Sequence, residues 1–368
     1  MKKFVFLALI FFLIGAAYDS YGQLNRRSIK KNNRRISSFK GRKTTFSKEK
    51  RYNAVGFSLN ALNYYGDLAP APKRFSTDIS FTRPAIGLSL SHRFGPRYTL
   101  TGTFMYGTLR GSDNESADPG DLNNGIFRYN RNLSFRNRIK ELSVVAAFDL
   151  YPNMATYISR VKWTPYAFAG IAVFHHNPQA QVPRYHVDGV TEFSNAGEWV
   201  NLHELGTEGQ NATLDPGDAN AGIKPYKLIQ PTIPFGVGVR FRLNEVVDIA
   251  GEFQFRYVFT DYLDDVSRNY VDLGVFGDNE LAKALSYRSG ELAKFNPADP
   301  TIQATVLQTY VGRDGQTYFV APGYGREYNR DGDTNLRGDN GNNNDTFTVF
   351  TVRVTYIFGK TFHRAKFR

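Results

Sequence analysis

Charged residues recur at alternate positions inside otherwise apolar-rich stretches: Arg93, Glu141, Asp149, Arg240, Arg242, Asp248, Glu252, Arg256 and Arg353. Their signs nearly balance, so they offer two kinds of chemistry: mutual ion pairing in an enclosed space, or a polar conduit. An enclosed charge without a partner is costly, and a narrow eight-stranded barrel is only just wide enough for its own side chains. A lumen plugged by salt bridges is therefore the expected role. A second constellation is His175, His176, His186 and His203, which share a segment with Glu192, Glu198 and Glu204. These are zinc-ligand and acid–base residue types, but their spacing matches no metal or catalytic signature, and solvated loop histidines are expected. The run 329–345 is rich in Asp, Asn and Gly, the hard-oxygen chemistry calcium prefers. It lacks the order of an EF-hand and ends without a bidentate Glu, so it reads as a flexible surface loop. No catalytic, cofactor-binding or metal-ligating residue is assigned, and the absence of Cys excludes thiol nucleophiles, thiolate metal sites and disulfides.

The elements that would position these charges are strands. In 347–358, Phe350, Val352, Val354, Tyr356 and Phe358 alternate with Thr351, Arg353, Thr355 and Ile357, one greasy face against a mostly polar one, with aromatics at both ends of the apolar stripe. The same period of two marks 54–65, 85–94, 98–109, 139–151, 163–174, 232–243 and 246–260; of these, 163–174 is the least clean because both faces are apolar or small. Connections alternate short (95–97, 152–162, 244–245) and long (66–83, 110–138, 175–231, 261–345). That asymmetry predicts an all-β fold, an eight-stranded antiparallel transmembrane barrel with short periplasmic turns and long extracellular loops. An even strand number puts both termini in the periplasm. Within the last loop, Asp278 is expected to cap a short helix carrying Leu281, Ala284 and Leu285, and 308–311 to pair with 316–319 above the membrane.

Bulk properties agree. Lys2 and Lys3 precede an apolar run over 4–17, with Ser20 and Gly22 placed for a signal-peptidase site, so residues 1–22 read as a signal peptide. The run falls short of the roughly 20 residues a spanning helix needs. A chain that is 15% aromatic with mean hydropathy −0.41 is too polar for a helical membrane protein and ordinary for a barrel. The +12 charge concentrates in residues 23–51, where Arg26, Arg27, Lys30, Lys31, Arg34, Arg35, Arg42, Lys43 and further basic residues face only Glu49; the chain after Arg51 is formally neutral. This arm reads as a disordered periplasmic segment able to bind anionic or acidic partners; export places it away from nucleic acid. Residues 359–368 form a second basic tail.

Several segments are specific in combination: Asn63-Tyr64-Tyr65-Gly66-Asp67-Leu68, Asn130-Arg131-Asn132-Leu133-Ser134-Phe135-Arg136, Thr164-Pro165-Tyr166-Ala167-Phe168-Ala169-Gly170-Ile171, Leu205-Gly206-Thr207-Glu208-Gly209-Gln210, Ile233-Pro234-Phe235-Gly236-Val237-Gly238 and Phe259-Thr260-Asp261-Tyr262-Leu263-Asp264-Asp265-Val266-Ser267. In this order they resemble the PorG-type (DUF6089-like) outer-membrane β-barrel family associated with the type IX secretion system. The likeness spans 52–268 and the last strand. It implies a non-enzymatic outer-membrane component, without cofactor, that associates with a periplasmic ring formed by a lipoprotein and its partner. Neither the arm nor the 272–345 insert is covered by it. The rival expectation is a surface adhesion or ligand-binding barrel working through its long loops.

Overall fold

A computed structural model describes residues 46, 50–69, 82–341 and 343–358; the expected signal peptide, nearly all of the basic arm and the C-terminal tail lie outside the described residues. Strands follow the alternation closely: β1 (Tyr52–Tyr65), β2 (Arg83–Arg93), β3 (Tyr98–Ser112), β4 (Ser134–Asp149), β5 (Trp163–His175), β6 (Pro178–Gln181), β7 (Trp199–Asn201), β8 (Ile229–Arg242), β9 (Val247–Val258), β10 (Gln308–Val311), β11 (Thr317–Val320) and β12 (Thr346–Phe358). β1 to β5, β8, β9 and β12 close a cylinder of eight antiparallel strands in which β12 returns to β1 with Asn53 opposite Phe358 and Tyr65 opposite Thr346. Closure leaves the eight-stranded cylinder without the bare edges that open sheets must otherwise protect. β3 and β4 stay paired from Tyr98–Phe148 to Ser112–Ser134, beyond the expected ends 109 and 139. β6 and β7 extend β4 at that end.

Side chains divide as the pleat dictates. Outward-facing Leu59, Leu88, Leu142, Ile171, Val237 and Val352 are each more than half exposed. A continuous apolar belt of this kind is a liability in water and the required surface in lipid. Aromatic residues flank it: Phe94 stacks on Tyr98, and Tyr151 and Tyr356 contact Trp163 and Phe358 edge-on at the turn side, while Tyr106, Tyr257 and Phe259 are exposed at the loop side. Inward positions carry small or polar groups. Gly238 lets the Tyr166 ring cross the lumen, since a Cβ there would lie 2.8 Å from the ring; this explains why β5 looked apolar on both faces.

The long connections fold into a cap. It holds α1 (Asp113–Ser116), α2 (Gly125–Arg131), α3 (Glu280–Ser286) and α4 (Pro300–Thr305). The β10–β11 hairpin forms a separate sheet and adds nothing to the barrel. Tyr270, Leu273, Tyr287, Phe295, Leu307, Tyr318, Val320, Ala321 and Tyr324 give the cap its own core. The expected cap of α3 is corrected: Asn279, not Asp278, stands at the N-cap, accepting at Oδ1 from the Ala282 amide at 3.1 Å. A second apolar cluster, including Leu62, Leu68, Phe135, Ile139, Phe174, Leu263, Phe347 and Val349, seals the barrel mouth beneath the cap.

Candidate functional site

The lumen brings the alternating charges together in pairs. Arg93 donates to Asp149 at 2.6 Å and Arg256 to Glu141 at 2.9 Å. Arg353 donates to Glu252 at 2.9 Å, while Arg240 lies 3.6 Å from Asp149 and over the Tyr166 ring. Tyr166 also donates to Glu252 at 2.6 Å. Asp248 takes a partner that alternation does not mark: Arg160, from the turn between β4 and β5, at 2.5 Å. Arg242 instead donates to the carbonyls of Ile158 and Arg160. The same turn pushes Tyr157 against Ala54 and Ile357, closing the turn side. The polar lumen retains about 60 Å³ of free space, room for a few waters. This arrangement can hold the cylinder's cross-section fixed.

At the mouth, distant segments meet. The Tyr64 hydroxyl lies 2.5 Å from Asp264 Oδ2 and 3.1 Å from Asp345 Oδ1, with all three groups buried. Arg131 donates to Asp113 at 2.7 Å, to the Asp67 carbonyl at 2.8 Å and to the Arg337 carbonyl at 2.6 Å. Glu208 accepts from the Ser267 amide at 2.9 Å and from Arg337 at 3.1 Å. Asp265, a non-glycine held at φ 69°, accepts from Thr207 at 2.5 Å and Tyr226 at 2.7 Å. Such a left-handed aspartate persists only where its surroundings fix it. Thus the segments 63–68, 130–136, 205–210 and 259–267 converge on one joint between barrel and cap.

Acid outnumbers base in this joint. Burial, reinforced by Asp339 and Glu208 against the pull of Arg131, pushes Asp67 to about 7. Burial also raises Asp261 to about 9 and Asp265 to about 6, and lifts Asp264 and Asp345 well above the usual carboxylate range, each reinforced by neighbouring aspartates.

The structure corrects two expectations for the loops. His176 is fully buried rather than solvated, stacked on Tyr226 and 3.0 Å from the Lys227 carbonyl, and burial lowers it to about 4. His203 contacts the Tyr226 carbonyl at 2.8 Å, and His186 packs on Phe193, 3.8 Å from Glu280. His175 ends β5, Glu192 pairs with Arg184, and Glu204 accepts from Asn201. Glu198 is exposed. The run 329–345 is not simply a flexible loop: Asn335, Arg337 and Asp345 are buried, Asn335 donating to the Arg326 carbonyl and the other two hydrogen-bonded into the joint. Asp339 from this run lies with Asp67 and Asp261 such that one carboxylate oxygen from each falls within 4.8 Å of the others, a spacing that suits an oxygen-ligated cation. The arm residues Arg26, Arg27, Lys30, Lys31, Arg34, Arg35, Arg42 and Lys43 lie outside the described residues.

Lipid-facing belt, closed register and plugged lumen define an outer-membrane-type β-barrel carrying a folded cap. The profile of DUF6089, a domain of unknown function, matches residues 42–195. No curated protein matches the sequence. Among solved structures the chain is similar to Neisserial surface protein A, at 7% identity and TM-score 0.32, covering 83% of this chain and 97% of that one. It is also similar to a major outer membrane protein from Thermus thermophilus, at 9% identity and TM-score 0.35, covering 83% and 99%. A third is the N-terminal β-barrel domain of Pseudomonas aeruginosa OprF, at 9% identity and TM-score 0.29, covering 84% and 99%. The closed barrel itself rests on the strand register.

Proposed function

We propose that the protein is a non-enzymatic component of a protein-secretion machine of the type IX kind, fixed in the outer membrane of a Gram-negative bacterium with both termini in the periplasm. The observation that carries this reading is the lumen: paired charges leave only about 60 Å³ free, so the barrel works as an anchor and its ends do the work. The family resemblance of the joint-forming segments, and the DUF6089 match over 42–195, supply the secretion context. Docking to periplasmic ring proteins falls to the basic arm and the short turns at Pro96, Asn153 and Asn244, and the joint segments on the opposite side serve to hold the cap. In-cell crosslinking from the arm and these turns, followed by co-purification at rising salt, is expected to capture ring proteins, with capture lost on deleting residues 23–51. Absence of any secretion component among the crosslinked partners overturns the reading, and salt-insensitive capture by the deletion variant removes the arm from it.

A surface ligand-binding barrel is the second reading, favoured by the cap's own apolar core. Replacing residues 273–334 by a short linker discriminates the two: secretion persists under the first reading, and a surface-binding phenotype disappears under the second.

A further inference from the structure

On the outer face of β4 the apolar belt ends abruptly in cations. Leu142 and Val144 face lipid, and the next outward positions toward the cap are Lys140, Arg138 and Arg136. Register places Lys140 between Tyr106 of β3 and His175 of β5, Arg138 beside Thr108, and Arg136 beside Arg110. Tyr106 belongs to the loop-side aromatic girdle, so Lys140 stands at the edge of the hydrocarbon. Two residues along a strand tilted by about 40° climb roughly 5 Å. Arg138 therefore sits about 5 Å higher, inside a headgroup layer roughly 5–7 Å deep, and Arg136, about 10 Å higher, lies beyond that layer.

Arg136 and Arg110 have protein partners: Arg136 donates to Gln179 at 3.0 Å and lies 3.8 Å from the centre of the Trp199 ring, and Arg110 pairs with Glu115. Among the described residues, neither Arg138 nor Lys140 forms an ion pair. Both are exposed, and no carboxylate stands opposite either in the register. At the loop end of β9 the exposed residues are instead aromatic, Tyr257 and Phe259. Two like charges on one strand face repel unless an anion lies between them, and the anions available at this depth beside a lipid belt are lipid phosphates.

We propose that Lys140 and Arg138 seat the phosphate groups of an anionic membrane lipid in the leaflet on the cap side. The seat is one-sided and continuous with the lipid face, so it orders lipid along β3 to β5 and not around the whole barrel. It rests on the transmembrane fold and not on the secretion reading.

The test uses the full chain in phosphatidylcholine bilayers doped with diphosphoryl lipid A, with bound lipid counted after detergent extraction. The double variant Arg138→Gln/Lys140→Gln is expected to bind about 25-fold less, from roughly a fivefold contribution per cation. Lys162→Gln at the turn side is expected to bind as the parent does, and dephosphorylated lipid A to be retained by neither. Equal retention by the double variant, an equal loss in Lys162→Gln, or equal retention of the dephosphorylated lipid each overturns the proposal. Heat-modifiable gel migration confirms that each variant is folded.

Discussion

Inside the lumen Arg93, Arg256, Arg353 and Arg160 each meet a carboxylate at 2.5–2.9 Å, whereas at the loop-side mouth Asp264 and Asp345 share one phenol. Both regions enclose charge away from water, and they stabilise it differently. A phenol has one hydrogen to donate, so the second short contact of Tyr64 is satisfied when a carboxyl brings its own. The lumen therefore gives each of these arginines a carboxylate partner, while the joint is proton-dependent. A barrel wall has to keep its cross-section constantly; a cap has to stay on it only under the conditions where it works.

The largest expected effect breaks the lumen side of this contrast. Glu141→Gln leaves Arg256 without its charge partner, and unfolding in urea, read by heat-modifiable migration, is expected to show a loss of about 3–5 kcal/mol. Replacing both residues by Met restores most of it, because the cost lies in the orphaned charge and not in the missing pair.

Titration sharpens the mouth side. Asp67, Asp261, Asp264, Asp265 and Asp345 are all held above their unfolded value, so the folded joint keeps protons that the unfolded chain releases. The joint is most stable below about pH 4 and loses stability as pH climbs through the 6, 7 and 9 of Asp265, Asp67 and Asp261. Hydrogen exchange of cap amides is expected to accelerate over this window while strand amides stay protected. Asp345→Asn mimics the protonated acid, able to accept from the Leu263 amide and donate to Tyr64, and is expected to gain roughly 1–2 kcal/mol at pH 9 and little at pH 5. An unchanged profile in this variant breaks the comparison. So does a profile abolished by calcium, which would assign the surplus charge at Asp67, Asp261 and Asp339 to a cation instead.

Asn279→Ala gives the smallest effect. Loss of the α3 cap is expected to cost the cap about 1 kcal/mol and leave the barrel's unfolding midpoint unmoved. A shift in both would mean that cap and barrel melt as one unit.

The barrel was legible in the sequence because one rule repeats along it: each strand alternates, and a charge on the polar side must face the lumen. That rule located Arg93, Glu141, Asp149, Arg256 and Arg353. It could not find Arg160, which lies in a turn where no period operates, and it gave β5 no clear polar face, because Tyr166 and Phe168 fill space opposite Gly238 and Gly236. The joint was illegible by spacing, since Tyr64, Glu208, Asp264 and Asp345 are far apart in the chain and no local pattern links them. Only the segments of family resemblance pointed to most of them. Asp345 had no such flag, and its burial depends on contacts with Tyr64 and the Leu263 amide.

The seam where β1 meets β12 joins residues 291 positions apart, with Thr351 donating to Asn60 at 2.7 Å. Nothing local can form it, and it must wait for the final strand to be synthesised. Until then β1 and β9 present two bare edges, each able to recruit a strand from another chain. A product truncated before Thr346 would lack the very piece that hides those edges, so interrupted translation yields a sticky species instead of a smaller barrel. Hiding both edges therefore falls to β12 alone among the described strands.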